Sequence, residues 1–118
     1  MSETELQSAT PYQAFQIVEM RVGRILRAEV NARAKKPAYK LWIDFGPEIG
    51  TKTSSAQIVA NYSIQDLQHR LVVCATNLGT RNIAGFPSEV LTMGMGDENG
   101  NVVLLQPAGQ VPLGARIY

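Results

Sequence analysis

Residues 39–45 alternate without a break. Tyr39, Leu41, Ile43 and Phe45 hold one parity; Lys40, Trp42 and Asp44 hold the other. Successive side chains of a strand point to opposite faces, so a period of two is the pattern of a half-buried β-strand. Turn signals close the run on both sides, Lys35-Lys36-Pro37 before it and Gly46-Pro47 with Gly50 after it. A chain punctuated this closely builds from short strands.

The segment before it carries the same period from Phe15 onward. Val18, Met20, Val22, Leu26, Ala28 and Val30 share one parity, and Glu19, Arg21, Arg27 and Glu29 the other. Gly23 marks a bulge or bend. A helical reading through Val18, Val22 and Ile25 is opposed by Gly23 and by the β-branched content. A third, more polar strand covers residues 52–60, with Ser54, Ala56 and Ile58 against Ser55, Gln57 and Val59. Ser63 with Asp66 three residues on predicts a short helix within residues 61–69. Residues 71–76 form a short apolar run closed by Thr76, as in a strand buried on both faces. A loop over 79–87 leads to a strand over 88–95, and Asp97-Glu98-Asn99-Gly100 turns the chain back into residues 102–105. A Pro/Gly-rich tail follows, with Ile117 as a last short strand. The expected class is all-β. Three strands, a helix and two strands is the order of a five-stranded OB-fold Greek-key barrel with added C-terminal strands; a β-sandwich stays open on pattern alone. Residues 1–13 read as a flexible polar lead-in and 14–118 as one domain.

Charge narrows the function. Net charge is only +1, but residues 21–52 hold eight bases against three acids, while residues 1–20 carry −3 and residues 53–118 carry −1. A basic first half makes a one-sided electrostatic footprint, and Trp42 and Tyr39 inside it suit stacking on exposed bases. The same residues equally suit a solvated strand face with Trp42 in a core or dimer seam. Cys74 is the single cysteine, which excludes an internal disulfide and a Cys-based zinc site. The first ten residues carry no secretion signal, and no apolar run approaches the ~20 residues that span a bilayer. The chain reads as soluble and cytoplasmic. His69, the only histidine, has no recognisable Ser or Asp partner, and no phosphate loop, dinucleotide fingerprint or cofactor motif is present. A non-enzymatic role follows; a small enzyme with an unrecognised site is the alternative. The loop from Asn77 to Glu89 is the most unusual segment. Asn77, Arg81, Ser88 and Glu89 could bind a phosphate or peptide carbonyl, or tie the loop together, Arg81 to Glu89 and Asn77 to the backbone.

Five collinear motifs resemble the CsaA family. They are Arg21-Val22-Gly23-Arg24-Ile25, Lys40-Leu41-Trp42-Ile43-Asp44-Phe45-Gly46, Ser54-Ser55-Ala56-Gln57-Ile58, the Asn77 to Leu91 segment, and Val102-Val103-Leu104-Leu105-Gln106-Pro107 with Val111-Pro112-Leu113-Gly114. The broader group is a tRNA-binding domain that also occurs appended to aminoacyl-tRNA synthetases. The resemblance implies an OB barrel, a homodimer built with the C-terminal extension, tRNA binding by shape, and chaperone activity toward unfolded preproteins with the export motor SecA as a partner. It carries phosphate binding onto Asn77, Arg81, Ser88 and Glu89, and onto the basic region of Lys35, Lys36 and Lys40, which Arg33 extends as part of the same basic stretch. Trp42 and Phe86 are expected to line a peptide groove. This chain departs from the family where Leu78-Gly79-Thr80 replaces a Pro-rich step and Asn82 stands where a second base is common. A dedicated tRNA-binding protein without chaperone activity is the second reading.

Overall fold

The computed structural model describes residues 9–118, and they begin with a helix, α1 (Pro11–Ile17). Thr10 caps it: Gln13 N donates to Thr10 Oγ1, Thr10 N donates to Gln13 Oε1, and Pro11 holds the first turn. The lead-in expected over residues 1–13 therefore ends early, its first eight residues lying outside the described ones. The run from Phe15 is likewise helical up to Ile17, because this capping box outweighs the alternation that begins beside it.

Strand β1 (Met20–Val30) pairs antiparallel with β2 (Tyr39–Asp44), with a bulge between Ile25 and Arg27. The extra residue is Leu26. It inverts the parity beyond it, so Ile25 and Ala28 both face the core while Leu26 is 43% exposed; Val30 shares the parity of Ala28 but ends the strand and is 57% exposed. The bulge expected at Gly23 lies three residues later. Gly23 stays in register opposite Val72 and serves close packing: a Cβ there would lie 2.5 Å from Ile43 Cγ2 and 2.7 Å from Phe45 Cε1.

Strand β2 alternates as its sequence dictates, with Tyr39, Leu41, Ile43 and the following Phe45 buried. It pairs with β3 (Thr51–Ala56), which is shorter than expected although Ser54, Ala56 and Ile58 keep the inward parity. Helix α2 (Ile64–Leu67) carries the predicted Ser63/Asp66 capping box and buries Leu67. Strand β4 (Leu71–Ala75) returns along β1, with residues 72–75 buried.

The expected loop over 79–87 is instead a hairpin of β5 (Arg81–Ile83) and β6 (Phe86–Ser88). Ala84 and Gly85 both have positive φ, the geometry that two-residue hairpins require. The single strand expected over 88–95 is split into β6, β7 (Leu91–Thr92) and β8 (Gly94–Gly96), because the Glu89 and Val90 amides both turn to Thr53 O. Strand β8 pairs with β9 (Val102–Leu104) around the predicted Asp97 turn. The tail then runs antiparallel to β1: Val22 N donates to Ala115 O, Gly114 N to Val22 O and Ile117 N to Met20 O.

The main sheet has the order β3-β2-β1-β4-β7. Its two ends meet through side chains: Thr53 N donates to Glu89 Oε1 (3.1 Å), Ser55 N to Ser88 Oγ (2.9 Å) and Thr92 Oγ1 to Ser54 Oγ (2.8 Å). The result is a nearly closed five-stranded OB barrel around Ile25, Leu41, Ile43, Phe45, Leu67 and Val72.

Two substitutions test this packing. Gly23→Ala forces a methyl into Ile43 and Phe45, and chemical denaturation should show a loss of about 1–3 kcal/mol. Glu89→Ala removes a charged acceptor from Thr53 and should cost about 1.5–3 kcal/mol, with Glu89→Gln retaining most of it. Wild-type stability in the Ala variant would mean that water replaces the carboxylate without loss.

Candidate nucleic-acid interface

Two loops converge at one end of the barrel. Asn31 is buried and shapes the first, residues 31–38: its Oδ1 accepts from Arg33 N at 3.2 Å. Its Nδ2 reaches across to donate to Ile83 O at 3.3 Å in the β5–β6 hairpin. The hairpin turn is braced by Gly85 N donating to Asn82 Oδ1 (2.8 Å), and Arg33 packs so tightly on Gly85 that a Cβ would meet its guanidinium at 2.8 Å. Between the loops lies a groove of about 620 Å³, lined by Arg33, Lys35, Lys36 and Arg81, with Ser55 and Gln57 on its barrel side. Among the described residues no acidic side chain lines it. Among the described residues these four cations form no ion pair, whereas Arg21, Arg27 and Lys40 all face glutamates. Like charges along the walls of a groove concentrate a positive potential and attract an anion.

An aromatic face adjoins the groove on the outside of β1 and β2. Arg27 stands directly across from Trp42, and Lys40 across from Glu29. The Arg27 guanidinium carbon lies 4.5 Å from the Trp42 ring centroid. Phe86 meets Trp42 edge to face at 5.4 Å, with Lys40 Nζ 5.7 Å from the Phe86 ring. Glu29 pairs with both cations.

The predicted residues thus separate into groups. Arg33, Lys35, Lys36 and Arg81 come together in the groove. Lys40 lies beside it, opposite Ser55, and Trp42 and Phe86 are in contact, although with cations beside both rings. Asn77, Ser88 and Glu89 have internal partners. Asn77 accepts from Glu19 N and donates to Ile17 O, both at 2.8 Å, and so pins α1 to the end of β4. Ser88 and Glu89 join the barrel's ends. The pairing considered between Arg81 and Glu89 is absent, because Thr53 takes that carboxylate.

Sequence reasoning passed over Asn31 and Arg27. An Asn two residues before an arginine in a loop is a readable turn signal; the placement of Arg27 depends on the bulge and has no local signature. His69 takes a left-handed turn in which its amide donates to Ile25 O. Cys74 is fully buried, and burial pushes its thiol up to about 12 despite a bond to Thr92, so it is no nucleophile.

A second, apolar cleft of about 560 Å³ lies beside β7, β8 and β9. Ile58, Leu91, Met93, Met95 and Val102 line it, with Leu91 54% and Met95 56% exposed.

Comparison with known proteins agrees with this architecture. Residues 20–116 match the family described as "putative tRNA binding domain". The chaperone CsaA of Bacillus anthracis is 40% identical, covers 94% of this chain and 100% of its own, and superposes with a TM-score of 0.86. The CsaA chaperone protein of Picrophilus torridus gives 40% identity, 93% and 100% coverage and a TM-score of 0.85. A methionine–tRNA ligase of Thermococcus onnurineus is 33% identical over 106 residues, 90% of this chain, which spans only 14% of that enzyme's length. The chain belongs to the tRNA-binding domain family and, within it, to the CsaA family.

Proposed function

We propose that this protein binds tRNA without chemical turnover, holding phosphates in the groove between loop 31–38 and the β5–β6 hairpin. The observation that carries this reading is the set of four cations, Arg33, Lys35, Lys36 and Arg81, gathered from two distant segments without acidic partners among the described residues. Phosphate contacts fix position and carry no base identity, so recognition follows backbone shape. Each neutralised duplex phosphate adds about 0.9 to the slope of log affinity against log salt. Affinity for two unrelated tRNAs should therefore be similar and should fall steeply with salt. Arg81→Ala should lower the slope by about one without changing the melting temperature. A flat salt response overturns phosphate tracking, and a lowered melting temperature with unchanged binding makes Arg81 structural.

A second reading, chaperone activity toward unfolded polypeptides, is favoured by the cleft lined by Met93 and Met95. Methionine side chains adapt to varied apolar partners, and this surface is more open than the Trp42–Phe86 pair first expected to hold peptide. Export-destined preproteins as clients, SecA as a partner and a homodimeric state belong to the same proposal. Light scattering should return twice the 12.9 kDa of one chain. Sub-stoichiometric protein should suppress aggregation of a denatured test enzyme, and Met95→Asp should abolish the effect while sparing tRNA binding. Failure of the wild type at several-fold excess rejects the chaperone reading.

A further inference from the structure

The bulge at Leu26 has a chemical result. Without the extra residue Arg27 would share the parity of Ile25 and face the core; with it, Arg27 stands on the outer face across from Trp42. Bulges commonly re-aim a side chain in this way. The guanidinium is held from two sides, over the Trp42 ring at 4.5 Å and in an ion pair with Glu29. Trp42 is itself backed by Phe86. Yet the Arg27 side chain remains 61% exposed, so its outer surface is open to a ligand.

An immobilised guanidinium with one open side is what an unpaired nucleobase needs. Bases splayed out of a helix stack on arginine planes as they do on aromatic rings. A free arginine would lose rotamer freedom on binding; this one is already held. Lys40 joins this face to the cationic groove, since it pairs across the sheet with Ser55 on the groove's wall. The cations flanking both rings disfavour an apolar peptide segment there.

We propose that Arg27 is a stacking platform for an unpaired nucleobase of the RNA whose phosphates occupy the groove. This rests on the RNA-binding reading and adds a preference for unpaired over paired nucleotides at this face. Lysine at position 27 would keep the charge and lose the plane.

The chain has a single tryptophan, so fluorescence reports on the ring beneath Arg27. A single-stranded oligoadenylate and a blunt RNA duplex of equal length are titrated into wild-type protein, Arg27→Lys and Arg81→Ala. The single strand should quench Trp42 in the wild type. Arg27→Lys should weaken single-strand binding by roughly fivefold or more, the lower end of what stacking contributes per base. Duplex affinity and salt slope should stay unchanged in that variant, whereas Arg81→Ala should weaken both ligands. If Arg27→Lys melts early, quenching of the wild type carries the test, and its absence on a bound single strand overturns the platform. Equal single-strand affinity of a well-folded Arg27→Lys and the wild type also overturns it and leaves the groove reading standing. Equal loss on both ligands makes Arg27 a phosphate contact or a support of the sheet and overturns it too. Wild-type protein that binds neither RNA at low salt overturns the platform and the groove together.

Discussion

The structure depends on how the two ends of one sheet are joined. Strands β3 and β7 meet largely through the side chains of Ser54, Ser88, Glu89 and Thr92 and the two amides turned onto Thr53 O. A hydrogen bond to a carboxylate is roughly twice as strong as a neutral one, which suits Glu89 to a junction only a few residues wide. The junction also fixes the β5–β6 hairpin, since Pro87 O lies 2.6 Å from the Thr53 hydroxyl. Closing the barrel and placing Arg81 against loop 31–38 are therefore one event. The segment singled out for chemistry uses Asn77, Ser88 and Glu89 to tie distant elements together, and among the described residues it leaves Arg81 without an ion pair.

What the sequence disclosed follows a physical division. Features set by neighbours in the chain were legible: the alternation of β2, the Ser63/Asp66 cap, the buried run of β4 and the Asp97 turn. The Thr10-Pro11-Gln13 cap was equally local, but it sits beside an alternating run that masked it. The bulge at Leu26 is set by β2 across the sheet, and no residue within β1 announces it. The β5–β6 hairpin turns on Ala84-Gly85, a weaker signal than the Asn-Gly or Asp-Gly pairs that mark such turns. In the groove, the basic residues of loop 31–38 and Arg81 could be named from charge alone. Sorting Asn77, Ser88 and Glu89 away from them required knowing their partners, which lie 33 to 60 residues distant.

The near-neutral total charge conceals an arrangement of pairs. Glutamates sit where cations serve the sheet, Glu29 beside Arg27 and Lys40 and Glu19 beside Arg21. The Arg21 guanidinium holds Glu19 below the usual carboxylate range. The loops at the barrel's end carry bases without such neighbours among the described residues, so the field is local. This geometry lets a weakly charged protein concentrate positive potential in one groove.

The C-terminal tail covers a border of the sheet that would otherwise stand open. Where β2 diverges from β1, the amide and carbonyl of Val22 would be left without strand partners, and an unpaired strand border is a template for whatever extended polypeptide arrives. Ala115 and Gly114 satisfy those groups from within the same chain, and Ile117 does the same for Met20 O. That border of β1 is thereby closed to pairing with any other backbone, so the tail works as a built-in stop to sheet extension.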